Sequence, residues 1–278
     1  VRELARERLD KLVAERGLAA SREEARRLIM AGEVLVDGSP ATKPGTRYPA
    51  DIPIEVVRRT SRYVSRGGQK LERALEVFEV DVENRVAMDV GSSTGGFTDC
   101  LLQRGARHVY AVDVGRGQLA WSLRCDPRVT VMERTNFRYL QRTAIPDPLD
   151  VITVDVSFIS LSKIAGKLRE FSSPDTELIV LVKPQFEAGP QRVGKKGVVK
   201  DSRTHIDTMV AVLGSLEEAG LVPVAVTHSP VTGPKGNIEF LAHLKPREAG
   251  CKPVAAGDIE RCVAAAHSDL LAERREQA

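Results

Sequence analysis

The sequence predicts an α/β chain: an open, seven-stranded, mostly parallel sheet with its last strand antiparallel, preceded by a small α+β module. Three observations predict it. Short apolar runs alternate with helix-periodic stretches through most of the chain, which implies a parallel sheet covered on both faces. The run Val86-Ala-Met-Asp-Val-Gly-Ser-Ser-Thr-Gly-Gly-Phe97 passes through an acid into a loop of very small residues, as where a strand hands over to a helix beneath a ligand. The last two apolar runs, 222–228 and 238–244, are joined by a loop too short for a crossover helix and so pair antiparallel.

The first module spans residues 1–59. Leu9, Leu12 and Val13 give one helical face, ended by Gly17. Ser21 followed by Glu24 is a capping box for a second helix, with Ala25, Leu28 and Ile29 inward and Gly32 ending it. Val34-Leu-Val36 is a strand entering the Asp37-Gly38 turn, and 52–57 is a further short strand. Residues 60–65 read as a polar, basic linker. A helix begins near Gly67-Gly68 and carries Lys70 in its first turn, where a cation opposes the helix dipole and hints at function. The catalytic-size domain then runs over 66–278, with strands at 86–90, 109–113, 129–133, 150–156, 177–182, 222–228 and 238–244. Helices fit at 97–103, 118–124, 161–171 and 204–219, and a C-terminal one at 258–271 lays Ile259, Val263 and Leu270 against the sheet.

Composition narrows the classes. A chain of 278 residues suits one large and one small domain. Its hydrophobic fraction of 42% includes no run long enough to span a bilayer, and the charged N-terminus lacks a signal-peptide core, so a cytoplasmic protein is expected, without membrane partners. Cys100, Cys125, Cys251 and Cys262 are scattered, which fits reduced thiols and suggests neither a disulfide frame nor a metal site. A net charge of +3 does not by itself argue for nucleic acid; the placement of the charge matters more. Nothing in the chain specifies an oligomer, and a monomer is expected.

The small-residue loop and the acid ending the second strand point to a nucleoside-containing cofactor. Backbone can approach a ligand at Gly91, Ser92, Ser93, Thr94, Gly95, Gly96 and Phe97, and Asp113, followed by Val114, can accept bonds from ribose hydroxyls. The loop is not the G-x-G-x-x-G of a dinucleotide site, and with Asp89 before the glycines S-adenosylmethionine fits better than NAD. Seven strands with the last antiparallel is also the Rossmann-like methyltransferase arrangement. At the same sheet edge, Asp155 ends the fourth strand and Lys183 follows a buried apolar run, held by Pro184. Residues 185–202 form a long loop rich in Gly and Lys. It is either a solvated surface segment or, because it follows Lys183, a clamp for an RNA backbone through Arg192, Lys195 and Lys196, extended by Arg62, Arg66 and Lys70.

Two resemblances join these readings. Arg8-Leu-Asp-Lys-Leu-Val, Ser21-Arg-Glu-Glu-Ala-Arg-Arg-Leu-Ile and Gly32-Glu-Val-Leu-Val-Asp-Gly38 resemble the RNA-binding domain named after ribosomal protein S4. That implies contacts to folded RNA from Arg8, Lys11, Arg22, Arg26, Arg27 and Lys43, which position a substrate without reading much sequence. Ser65-Arg-Gly-Gly-Gln-Lys-Leu, Asp89-Val-Gly-Ser-Ser-Thr-Gly-Gly-Phe-Thr-Asp, Asp155-Val-Ser-Phe-Ile-Ser-Leu and Val182-Lys-Pro-Gln-Phe-Glu resemble the TlyA-type ribosomal RNA methyltransferases, an FtsJ-type domain behind an S4-like one. The resemblance implies 2′-O-methylation of cytidine ribose in ribosomal RNA of subunits or ribosomes. It also implies a Lys-Asp-Lys-Glu tetrad at Lys70, Asp155, Lys183 and Glu239, with Asp155 touching the cofactor as well. A ribose hydroxyl must lose its proton as it attacks. A lysine takes that proton only when neutral, a state favoured by burial or by a neighbouring cation, which Lys70 would supply to Lys183.

Other functions compete. A non-catalytic RNA-binding or ribosome-assembly protein conflicts with the intact tetrad. A membrane-lytic protein, as the haemolysin label of some members suggests, would need an amphipathic segment that the chain does not show. A nicotinamide oxidoreductase conflicts with the loop.

Overall fold

The computed structural model describes residues 6–30, 32–57, 62–194 and 196–276. The chain forms two compact units, Val1–Ser61 and Arg62–Ala278.

In the first unit, β1 (Arg6–Arg8) leads into α1 (Leu9–Glu15), followed by α2 (Arg22–Met30), β2 (Val34–Val36), β3 (Ser39–Ala41), β4 (Arg47–Pro49) and β5 (Ile54–Val56). Strand β2 lies between β3 and β5 in an antiparallel sheet, and β1 pairs with β4. The expected helix faces form the core: Leu9, Val13, Ala25, Ile29 and Val34 are fully buried against one another. Ser21 Oγ caps α2 by accepting the Glu24 amide at 3.1 Å, while the Glu24 carboxylate reaches back to the Ala20 amide at 2.6 Å, one residue earlier than a standard capping box. Strands β1, β3 and β4 were not foreseen, because Arg-Glu-Arg, Ser-Pro-Ala and Arg-Tyr-Pro contain no apolar run of the kind that marks β2 and β5.

The basic residues of this unit divide by role. Asp10 is buried at 1% exposure and is held by Arg8 through two hydrogen bonds of 3.0 and 2.9 Å, and by Arg22 at 3.3 Å. The Arg8 hydrogen bonds, aided by Arg22, lower its carboxyl to about 2. Arg8 and Arg22 therefore brace the fold as well as facing solvent. Lys11 pairs with Glu7 and Glu15 along α1. Arg27, 77% exposed, stands 3.9 Å from Glu24, and Arg26 and Lys43 are exposed.

The second unit opens with α3 (Gly67–Val77) and then alternates: β6 (Val86–Val90), α4 (Gly96–Gln103), β7 (His108–Val112), α5 (Trp121–Arg124), β8 (Val129–Met132), β9 (Val151–Val154), α6 (Ala165–Phe171), β10 (Glu177–Val182), α7 (Pro184–Glu187), α8 (Ser202–Glu218), β11 (Leu221–His228), β12 (Phe240–Pro246) and α9 (Ala256–Glu276). The sheet order is β11-β12-β10-β9-β6-β7-β8, parallel except for β12, which is antiparallel to both neighbours. Along β6 the side chains alternate between two cores: Met88 and Val90 join one cluster, Ala87 the other. Ile259, Val263 and Leu270 of α9 pack in the first cluster, as their spacing predicts. The chain runs outward through β6, β7 and β8, then crosses back to β9 on the other side of β6. The carboxyl ends of β6 and β9 are therefore the switch point at which such sheets bind ligands.

Departures from expectation lie at element ends. The helix expected from 118 is only 121–124, because the Gln118 side chain turns back to Ser93 Oγ at 3.2 Å. The strand expected over 150–156 stops at Val154, and the helix expected from 161 begins as a 3-10 turn capped by Ser160. Residues 62–65, read as part of a linker, pack within the second unit: Tyr63 is 2% exposed, and the Val64 amide donates to Asp99 at 2.7 Å.

Candidate functional site

Two adjoining cavities open at the switch point, and the glycine loop shapes both. Gly91 and Ser92 donate their amides to the Val112 carbonyl at 2.8 and 3.2 Å, which turns the chain sharply off β6. Gly91 has φ +86°, and a Cβ there would lie 2.5 Å from the Asp155 carbonyl oxygen, so only glycine lets these two loops meet. Asp113 accepts the Ser93 amide at 2.8 Å and the Gly115 amide at 2.6 Å, tying the glycine loop to the end of β7.

The first cavity, about 450 Å³, is lined by Gly91, Ser93, Asp113, Val114 and Asp155. Its other walls are residues that sequence reasoning missed, among them Gln118, Asn136, Phe137, Arg138, Val156 and Ile164. Gln118 sits on the connection after β7 and the others follow β8 or β9, where their spacing does not mark them as cavity walls. An apolar slot of Val90, Val112, Phe137 and Ile164 with a carboxylate at its edge suits a purine nucleoside whose ribose bonds to Asp113. Gly91→Ala should weaken adenosylmethionine binding at least about tenfold in calorimetry, because the added methyl collides with backbone and the residue must hold a positive φ.

The second cavity, about 730 Å³, holds the four tetrad residues together with Ser92, Thr94, Gly96 and Phe97 of the loop. The tetrad forms two ion pairs. Lys70 Nζ lies 2.5 Å from Glu239 Oε2, and Lys183 Nζ lies 2.5 Å from Asp155 Oδ1. Glu239 is fully buried, and Gln185 donates to its other oxygen at 3.0 Å, so each of its oxygens is engaged, one by Lys70 and one by Gln185. Lys183 also donates to Ser157 Oγ at 2.9 Å, and its ammonium stands 5.9 Å from the Phe186 ring centroid. Phe186 pairs with Phe158 at 4.9 Å; Phe158 is 90% exposed and holds a φ of +65°. Gln185, Ser157, Phe158 and Phe186 lay inside quoted motifs, but nothing in their spacing marked them.

Paired glycines explain how Lys70 reaches this place. A Cβ on Gly96 would lie 2.9 Å from the Gly68 amide and 3.0 Å from Gly67 Cα, and one on Gly68 would lie 2.2 Å from the Tyr63 ring. The starts of α3 and α4 therefore meet backbone to backbone, which carries the first turn of α3 over the glycine loop.

Two residues expected at the cofactor line neither cavity. Asp89 is fully buried and accepts the Thr98 amide at 3.0 Å, Thr98 Oγ1 at 2.7 Å and Thr153 Oγ1 at 3.2 Å, so it braces the start of α4. Burial, with the nearby Asp155 charge adding, raises its carboxyl to about 7. Gly95 faces Leu119 and Leu123, which a Cβ would strike at 2.8 and 2.3 Å. A larger residue there would act through packing against these leucines.

Of the basic residues expected along the RNA track, Arg66 lines the tetrad cavity. Arg62 pairs with Glu72, Arg192 lies 3.2 Å from Asp207, and Lys196 is exposed. Lys195 lies outside the described residues.

A doubly wound sheet with β12 reversed, a nucleoside slot at its switch point and a lysine-armed cavity beside the slot define a Rossmann-like methyltransferase whose cofactor is S-adenosylmethionine. The chain belongs to the FtsJ-like methyltransferase family, whose model matches residues 63–246, and it carries an S4 domain at residues 7–51. It is 48% identical over 241 residues to the Mycobacterium tuberculosis 16S/23S rRNA (cytidine-2′-O)-methyltransferase TlyA, covering 86% of this chain and 90% of that one. It is 41% identical over 238 residues to hemolysin A of Brachyspira hyodysenteriae, covering 85% and 99%. A solved structure of a hemolysin-named protein from Streptococcus thermophilus matches with a TM-score of 0.78 at 40% identity, over 98% and 99% of the two chains. Among the described residues, no helix is long and apolar enough to cross a membrane.

Proposed function

We propose that this chain transfers a methyl group to the 2′-hydroxyl of cytidine in ribosomal RNA, with Lys70, Asp155, Lys183 and Glu239 as its catalytic machinery. The observation that carries the reading is the pair of lysine–carboxylate bridges meeting in one cavity beside the nucleoside slot. Bound S-adenosylmethionine supplies an electrophilic methyl on a sulfonium. Lys183, at the mouth of β10, first releases its ammonium proton to solvent and then, as the neutral amine, accepts the proton that the ribose oxygen loses, while Asp155 and Ser157 aim it. Lys70, fixed by Glu239, is the neighbouring cation. The rest of the rate comes from aligning oxygen with methyl, which the rigid glycine loop and the buried bridges favour. The exposed Phe158–Phe186 pair gives a base a surface to stack on.

The S4 unit supplies sequence-independent grip on ribosomal RNA. Arg26 and Arg27 are the arginines best placed for it, since Arg8 and Arg22 are bound to Asp10.

The test is transfer of tritiated methyl from adenosylmethionine onto isolated ribosomal subunits, with the label mapped by nucleoside analysis. Label in 2′-O-methylcytidine is expected, falling steeply with salt and reduced by Arg26→Glu with Arg27→Glu while cofactor affinity holds. Label on a base, or none on either subunit, would remove the reading.

A further inference from the structure

The tetrad cavity is also lined by a segment that the tetrad does not use, the turn 233–237 just before β12. Its backbone is unusual. Lys235 holds φ +59° and ψ +12°, the left-handed region that strains a non-glycine residue and is normally given to glycine. Glycines stand on either side of it at 233 and 236, and Gly233 sits so close to Glu239 that a Cβ would lie 2.1 Å from Oε1. Lys235 is therefore carried beside the reacting centre by a strained turn, and strain of that kind is retained where a ligand is clamped.

The turn is also pinned. Asn237, 3% exposed, accepts the Val199 amide at 3.1 Å and donates to the Gly197 carbonyl at 3.0 Å, while its own carbonyl accepts the Gly233 amide at 2.8 Å. One side chain thus ties the turn to the glycine-rich loop that follows α7. Lys235 Nζ comes to 3.6 Å from where a Gly197 Cβ would be, at the rim of the cavity.

The charges of the cavity then decide what Lys235 meets. Lys70 and Lys183 are each neutralised by a carboxylate, whereas Arg66 and Lys235 have no carboxylate partner among the described residues. The cavity thus carries unpaired positive charge, and the ligand it takes besides the cofactor is an anion. We propose that Lys235 is a phosphate anchor, binding the phosphodiester of the nucleotide whose ribose enters the cavity, with Asn237 as the residue that positions it. This rests on the proposed RNA substrate, since a phosphate next to the methylated ribose is what an unpaired lysine at this rim can reach.

Lys235→Gly is the informative variant, because glycine relieves the positive φ and should leave the melting temperature unchanged or raised. Binding of a single-stranded, cytidine-containing oligoribonucleotide is followed against salt, alongside steady-state methylation of ribosomal subunits. In Lys235→Gly the slope of log affinity against log salt should fall by about 0.7, the loss of one phosphate contact. The KM for subunits should rise about tenfold with kcat within about twofold, and adenosylmethionine affinity should hold. Lys235→Arg should retain the wild-type slope. A wild-type slope in Lys235→Gly overturns the anchor. Wild-type protein that transfers no methyl to ribosomal RNA overturns the substrate reading instead, and the oligoribonucleotide slope still decides Lys235.

Discussion

Lys183→Ala should lower methyl transfer at least about a thousandfold, within the range that positioned proton acceptors contribute, while leaving adenosylmethionine and RNA affinity intact. The structure adds a reason to expect separation of these effects. Lys183 lies at the N-terminus of α7, outside the nucleoside slot, and among the described residues its amine meets Asp155, Ser157 and the Phe186 ring. Lys183→Arg keeps the charge and the bridge to Asp155 but cannot release a proton near neutral pH, so it should fail as completely. Single-turnover rates on ribosomal subunits distinguish the possibilities, because they isolate chemistry from product release. Wild-type turnover by Lys183→Arg would remove the lysine as proton acceptor and leave alignment to account for the rate. Lys70→Ala should cost less in transfer but more in stability, since it removes the cation that pairs with the fully buried Glu239 carboxylate.

The parts of the site legible in the sequence are those that a backbone requirement writes into residue identity. Gly91 was visible because nothing else fits against the Asp155 carbonyl, and Lys183 because a cation after a buried apolar run is out of place. In the second unit the succession of strands and the antiparallel last one followed from apolar runs and loop lengths, while element ends shifted where side chains such as Gln118 and Ser160 cap or turn the chain, and the short α7 carried no signal. Asp89 was misjudged for a physical reason: an acid at the end of a strand looks the same whether it faces the ligand or the helix, and here it faces Thr98. Asn136, Phe158, Gln185 and Lys235 had no signal, because their place in the cavities comes from loops brought together by the crossover. Gly67, Gly68 and Gly96 did carry information, about each other, that a reading of single motifs could not use.

Asp89 also sets the largest expected dependence of stability on pH, and its sign is opposite to the usual behaviour of a carboxylate. Burial raises its folded carboxyl from 3.8 to about 7, so between those values the folded chain holds a proton that the unfolded chain has released. Its contribution is full below about pH 4 and is lost as pH rises through about 7, amounting to about 4 kcal/mol. His205 works the other way. It is fully buried between α8 and α9, with Nδ1 2.9 Å from His267 Nε2 and its ring against Phe240, and burial pushes it down to about 4, with the His267 charge adding to the effect. The unfolded histidine gains its proton first on acidification, so this group removes up to about 3 kcal/mol as pH falls from about 6.5 toward 4. The two trends nearly cancel, and the wild-type curve over this range should look flat. Asp89→Asn separates them. Its carbonyl can keep both Thr98 hydrogen bonds, and its amide can donate to Thr153 Oγ1, which lies 3.5 Å from the Met88 carbonyl. With the proton linkage gone, the variant should gain stability from about pH 4 to about pH 7, tracking the lowered His205 and His267 pair, in urea melts at each pH. If Asp89→Asn instead runs parallel to wild type, then the three hydrogen bonds donated to Asp89 outweigh its burial, and the acid beneath the glycine loop stays ionised throughout.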